Sequence, residues 1–292
     1  MGVGIELDTE NSCRKYQICK PVAPQKTSVE FILLRFFRIS ISYPPNRHFR
    51  GQPISFIGVS GFEIIVIFAV LKELAMKVLI TGTSQGIGKA VAELFLEKGH
   101  EVVGIDRKAS AIEHKNYVHY VCDVRDWESL PEIDDVDILI NNAGTQNEDD
   151  IDINLKSLIR ITEKYGVRTG IKSILNIGSA SGHTGSEFPE YCASKGGVIA
   201  YTKNVALRVA AFGATCNSLD PGGVLTPLND CVVNDPVLWN EIMNQTPLKR
   251  WASVQEIAQW AIFLTVENKF ATGQSIIVDG GESINFHFVW PK

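Results

Sequence analysis

The chain has 292 residues, 45% of them apolar and 21% charged, which is enough to bury one sizeable α/β core. Its net charge of −5 comes without a basic stripe, which argues against nucleic acid as a partner. The six cysteines show no metal-ligand spacing, so no metal site is expected and a reduced, cytoplasmic protein is the natural reading.

Residues 1–75 differ in character from the rest of the chain. They carry nine Lys/Arg against six Asp/Glu, a net of +3, whereas 76–292 carry 19 against 27, a net of −8. Within them, residues 54–71 are apolar apart from Ser, Gly and one acid, Glu63. A spanning helix needs about 20 such residues, and a central Glu is expensive in a bilayer. The run also lies too far from the N-terminus for a secretory signal. Met76 opens the patterned part of the chain directly, and Lys72-Glu73 can be encoded as a ribosome-binding sequence two codons ahead of it. We therefore read 1–75 as translated leader sequence and Met76 as the native start. If the extension belongs to the protein, membrane association through 54–71 is the leading alternative, ahead of a β-rich module or a disordered arm.

From Met76 the chain reads MKVLITGTSQGIGKAVAELFLEKG. Residues 77–81 are a short apolar run suited to a buried parallel strand. Gly82, Gly86 and Gly88 follow in a turn, and 87–98 then show helical spacing of apolar residues. Strand, glycine turn and helix make a phosphate cradle, because glycines let the backbone approach a pyrophosphate and the helix start offers free N–H groups. A second strand over 101–105 ends at Asp106, eighteen residues past Gly88. A carboxylate there accepts hydrogen bonds from both ribose hydroxyls of NAD and repels a 2′-phosphate. No Lys or Arg lies within 83–87 to favour that phosphate, although Arg107 could grip one. NAD is expected, with NADP not excluded.

The alternation continues, with strands near 118–122, 137–140, 173–177, 215–219 and 275–278 and helices near 151–164, 191–211 and 254–265. That order predicts a Rossmann-type doubly wound parallel sheet in a single domain over 76–284, with 285–292 as a tail. Pro221 and Gly222 end a strand where an open sheet places its ligand crevice. Residues 225–247, broken by Pro, Asn and Asp and carrying Trp239 and Met243, read as a lid over that crevice.

The most informative pair is Tyr191 and Lys195 in YCASK. Four residues apart on a helix, a phenol and an ammonium share one face. A free phenol, with a pKa near about 10, transfers protons poorly at neutral pH. A neighbouring cation stabilises the phenolate, and a shift of roughly 3 units takes on the order of 4 kcal/mol.

TGTSQGIG, NNAG (141–144), Ser179, YCASK and DPGGVLTP, in that order, resemble the classical short-chain dehydrogenase/reductase family from Met76 to about Gly281. The resemblance implies that Tyr191 is the proton donor or acceptor at the substrate oxygen, and that Lys195 lowers its pKa and holds the nicotinamide ribose. It makes Ser179 the hydrogen bonder of that oxygen and Asn154, in DINLKS, the anchor of a water relay. Ser181 is the competing serine, since twelve residues separate Ser179 from Tyr191, one fewer than expected. The implied cofactor set is Gly82, Ser84, Gln85, Gly86, Ile87, Gly88, Asp106, Arg107, Asp123, Val124, Asn142, Ala143, Gly144, Pro221, Gly222, Val224 and Thr226, with Tyr191 and Lys195.

Two departures from the family pattern stand out. Asp123 and Asp137 are fourteen residues apart, so a short helix or irregular turn is expected between their strands. Asn154 follows Gly144 by ten residues, which trims the wall near the nicotinamide and a helix often used for oligomer contacts. The homodimer or homotetramer that the family suggests is correspondingly less secure. The expected function is NAD(P)-dependent interconversion of a secondary alcohol and a ketone. An NADPH-dependent reductase of 3-oxoacyl thioesters and a catalytically silent dinucleotide-binding regulator are the alternatives. Phe188, Trp239 and Met243 hint at an apolar or ring-shaped substrate, though such residues serve more often as lid core.

Overall fold

The computed structural model describes residues 75–146, 148–186 and 188–285. The expectations for residues 1–74, including the apolar run 54–71, and for 286–292 lie outside the described residues. Among the described residues, no helix is long and apolar enough to cross a membrane.

Among the described residues seven strands form the sheet: β1 (Lys77–Thr81), β2 (Glu101–Asp106), β3 (Tyr117–Val121), β4 (Ile138–Asn141), β5 (Ser173–Ile177), β6 (Thr215–Pro221) and β7 (Ser275–Val278). All pair in parallel, in the order β3-β2-β1-β4-β5-β6-β7. The strands β1, β4 and β5 lie inside the sheet and are buried nearly end to end, because helices cover both of their faces.

On one face pack helix α1 (Gly86–Glu97), through Val91 and Phe95, and a helix late in the chain (Val254–Ile262), through Ile257 and Ala261. On the other face lie α2 (151–166) and α3 (Pro189–Val209). The helix α2 runs through Ile151–Lys156, Ser157–Ile161 and Thr162–Gly166, with wider, π-type turns at both ends. Its Ile161 and Tyr165 and the Val205 and Val209 of α3 fill that second layer. Full burial of a side chain such as Phe95 contributes on the order of 1.5–3 kcal/mol.

The β3 edge is less covered. No helix forms between β2 and β3 or between β3 and β4; turns and extended chain make both connections. The segment after Asp123 thus resolves to the irregular alternative, and Val118 and Val121 stay exposed. The strand expected at 137–140 begins one residue later, because Asp137 has another task. Its Oδ2 accepts the Lys77 N–H at 2.8 Å, and its carbonyl accepts the Lys172 N–H at 2.7 Å. This joins the starts of β1 and β5.

Between β1 and β4 the strand order reverses, opening a crevice beyond their C-terminal ends. Helix α3 delivers a second set of groups to the same place. Pro189 at its first turn presets the helical backbone, so Tyr191 lies in that turn and Lys195 one turn on.

Candidate active site

At the crevice lies a cavity of about 900 Å³. Its phosphate end is the turn between β1 and α1. Gly82 and Gly86 take left-handed φ of 77° and 58°, which only glycine adopts without strain. A Cβ at 82 would lie 2.7 Å from Asn142 Nδ2 and 2.9 Å from Ala143 Cα, so this glycine also admits the chain that continues from β4. Helix α1 starts with no side-chain cap and no acid in its first turn. Its leading N–H groups and dipole therefore face the cavity uncompensated, a fit for a pyrophosphate.

Asp106 stands beside that turn, its Oδ2 accepting the Ser84 N–H and its Oδ1 the Lys108 N–H, each at 2.9 Å. Arg107 and Lys108 line the cavity with it, and Lys108 Nζ donates to Gln85 Oε1 at 2.7 Å. Farther along, Asp123 and Val124 form the wall after β3. Arg125 bonds Asp123 Oδ2 at 2.7 Å, which holds that carboxyl below its usual range. It also reaches Asp149 at 3.0 Å, in the shortened loop after NNAG.

At the reacting end, Lys195 is almost fully buried and donates from Nζ to the Ile177 carbonyl at 2.9 Å. Its ammonium lies 5.7 Å from the Tyr191 ring centroid. Burial lowers its pKa to about 8, against the opposing pull of Asp220 and Asp150. Ser179 and Ser181 both line the cavity, and the Ser181 N–H donates to Ser179 Oγ at 3.1 Å. That bond leaves the Ser179 hydroxyl proton available to a ligand.

Most of the expected set meets here. Gly82, Gln85, Gly86, Ile87, Asp106, Arg107, Asp123, Val124, Asn142, Ala143 and Gly144 line the cavity, as do Ser179, Tyr191, Lys195, Pro221, Gly222, Val224 and Thr226. Three expected residues stand behind the wall instead. Ser84 is buried and serves through its backbone bond to Asp106. Gly88 is a packing glycine, since a Cβ there would overlap Gly82 O and Asn142 Nδ2. Asn154 is buried, with Oδ1 accepting the Thr145 N–H at 2.8 Å and Nδ2 donating to the Thr145 carbonyl at 3.0 Å and to Ser194 Oγ at 3.2 Å. It still reaches the lysine's neighbourhood, because a Cβ at Gly144 would lie 3.0 Å from Asn154 Oδ1 and 3.6 Å from Lys195 Nζ.

Sequence reasoning missed Lys108, Thr145 and Gln146 on the cavity wall. It also missed Thr81, whose Oγ1 accepts the N–H groups of Asn142 and Ala143 at 3.0 Å each. The Arg-Lys pair directly after Asp106 offered a signal for Lys108; a threonine at a strand end offers none. Across the opening, the stretch read as a lid supplies Leu228, Cys231, Val232, Ile242 and Gln245. Trp239 and Met243 turn away from the cavity: Trp239 packs edge-on against Trp251 at 5.1 Å, and Met243 is buried. Of the three residues that hinted at a ring-shaped substrate, Phe188 alone lines the cavity.

The chain is similar to proteins of one family throughout this region. A family profile described as enoyl-(acyl carrier protein) reductase matches residues 82–283. The 3-oxoacyl-(acyl-carrier-protein) reductase of Buchnera aphidicola subsp. Acyrthosiphon pisum is 31% identical over 234 residues, covering 69% of this chain and 95% of that protein. Among solved structures, the aldohexose dehydrogenase of Thermoplasma acidophilum in ligand-free form superposes with a TM-score of 0.65 at 30% identity, covering 75% of this chain and 98% of that one. A 4-hydroxyisoleucine dehydrogenase complexed with NADH reaches a TM-score of 0.65 at 26% identity, covering 72% and 100%. With its parallel sheet, glycine turn and Tyr-Lys helix, the chain belongs to the short-chain dehydrogenase/reductase family and is an NAD(P)-dependent oxidoreductase acting on a small-molecule alcohol or ketone.

Proposed function

We propose that the protein interconverts a secondary alcohol and its ketone with NAD as the preferred cofactor, Tyr191 carrying the proton. The observation that bears the reading is the buried ammonium of Lys195, pinned on the Ile177 carbonyl beside the Tyr191 ring. The turn at Gly82 and Gly86 and the start of α1 would hold the pyrophosphate, and Asp106 the adenosine ribose. Bound there, a nicotinamide dinucleotide supplies or takes up the hydride. Tyr191 gives its phenolic proton to the ketone oxygen in reduction and accepts the alcohol proton in oxidation. Ser179 donates a hydrogen bond to that same oxygen. Lys195 stabilises the phenolate through its positive charge, which its own burial strengthens. Asn154 holds Thr145, and with it the chain after Gly144, against this lysine.

A second reading has specific support. Arg107 and Lys108 follow Asp106 directly and line the cavity with it, and a cationic pair at that position suits the 2′-phosphate of NADPH. With the similarity to acyl-carrier-protein reductases, this favours reduction of a 3-oxoacyl thioester. Exposed apolar groups near β7, among them Trp260, Phe263, Phe270 and Ile277, support self-association as a homodimer or homotetramer.

A panel of ketones, secondary alcohols and acetoacetyl-CoA, assayed with both cofactors by reduced-nicotinamide absorbance, separates the two readings. Within it, Tyr191→Phe is expected to abolish turnover while NADH affinity stays within about threefold. A variant as active as the wild type refutes the proton-transfer assignment.

A further inference from the structure

We propose that Asp220, clamped by His183, is the buried counter-charge of Lys195 and sets how far up in pH the lysine keeps its proton. The inference rests on the Tyr191–Lys195 reading above and deepens it. Asp220 is the penultimate residue of β6, and its side chain is inaccessible to solvent. A buried carboxylate is costly unless it is bonded and compensated. His183 Nε2 lies 2.6 Å from Asp220 Oδ2, and Ser218 Oγ donates to Oδ1.

The chain also makes room for this group. A Cβ at Gly178 would overlap Asp220 Oδ1 and lie 2.7 Å from Ser218 Oγ. The glycine that precedes Ser179 is thus explained by a carboxylate lying on its Cα. Lys195 Nζ bonds the carbonyl of the residue just before it, Ile177. Ammonium and carboxylate therefore meet the same two-residue segment at the end of β5.

Among the described residues, three charged or titratable groups face Lys195: Asp220 from β6, Asp150 at the start of α2, and Tyr191 on its own helix. Burial pulls the ammonium pKa down, with Asp220 the larger and Asp150 the smaller opposing influence. Burial likewise raises the Asp220 pKa, opposed by Ser218, His183 and Lys195. Neither Asp220 nor His183 is among the cavity-lining residues. Both are positioning residues that act through the lysine.

The test is the pH dependence of kcat/KM for alcohol oxidation, using the full chain, NAD and the best secondary alcohol of the panel. Activity falls on the alkaline side as Lys195 loses its proton. Asp220→Asn keeps the shape and removes the charge, and is expected to move that limb down by about one pH unit, a tenfold change in proton affinity. His183→Ala leaves the carboxylate short of a donor, which favours its uncharged form, and is expected to move the limb the same way by a smaller amount. His183→Gln retains an amide donor and is expected to leave it in place.

A group that only packs would lower activity without displacing the limb. If Asp220→Asn does not fold, the His183→Ala limb decides. With Tyr191→Phe inactive, limbs left unmoved by Asp220→Asn and His183→Ala, or by whichever of the two folds, overturn the role of Asp220. An active Tyr191→Phe instead overturns the proton-transfer reading itself.

Discussion

Replacing Asp106 by Ser tests cofactor choice without any knowledge of the substrate. Both Asp106 oxygens already accept a backbone N–H, from Ser84 and Lys108, which holds the carboxylate at the cavity wall. Each oxygen keeps a second lone-pair direction for a ribose hydroxyl. A hydrogen bond to a charged group contributes about 1.5–3 kcal/mol, and about 1.4 kcal/mol is a factor of ten. Loss of the carboxylate should therefore weaken NADH by about 10- to 100-fold. The same change removes a negative charge facing any 2′-phosphate and leaves Arg107 and Lys108 beside it. Two like charges near about 5 Å in a wet, partly exposed site repel by about 1–2 kcal/mol. NADPH should accordingly bind about tenfold more tightly, a swing in preference of about two to three decades. Calorimetric titration of each reduced cofactor into both proteins measures it. A variant that holds NADH within threefold of the wild type, with NADPH no tighter, would refute Asp106 as the discriminating group and transfer that role to Lys108 and Gln85.

Other predictions concern the price of the site. Burial holds Lys195 at a pKa of about 8 against 10.5 for the free side chain. Below pH 8 this costs the folded state on the order of 3 kcal/mol. Between the two values the unfolded chain binds more protons, so stability rises with pH as the penalty fades. Lys195→Met should thus unfold at a higher temperature than the wild type at pH 7, with the gap narrowing toward pH 10.5 and no turnover at either; an equal or lower midpoint at pH 7 contradicts this. Gly88→Ala forces a Cβ into Gly82 O and Asn142 Nδ2. It should cost about 1–3 kcal/mol in denaturant unfolding and weaken NADH binding as well. Asn154→Ala removes three side-chain bonds at Thr145 and Ser194. A loss of about 2 kcal/mol in stability is expected, with kcat reduced more than NADH affinity; a larger effect on affinity would show that the Thr145 segment holds the cofactor.

The strands at 77–81, 173–177 and 275–278 were readable to the residue. Parallel strands under helices on both faces are short continuous apolar runs, and turn residues bracket them sharply. Where the reading slipped, a side chain had acquired a tertiary partner. Asp137 left its expected strand to join β1 and β5. Trp239, packed on Trp251, follows the lid-core reading and not the hint of a ring-shaped ligand.

Local spacing alone determined the glycine turn, the Tyr-Lys face of α3 and the acid at the end of β2. Each of these depends on residues within one helical turn or one strand, where backbone geometry leaves few alternatives. Which groups stand together at the reacting end was decided by the packed sheet. The strand order brings Asp220 of β6 against Gly178 after β5, and α3 lays Lys195 across the same segment. No periodicity encodes that meeting, because the strength of an electrostatic contact depends on distance and burial in the folded chain and not on separation along it.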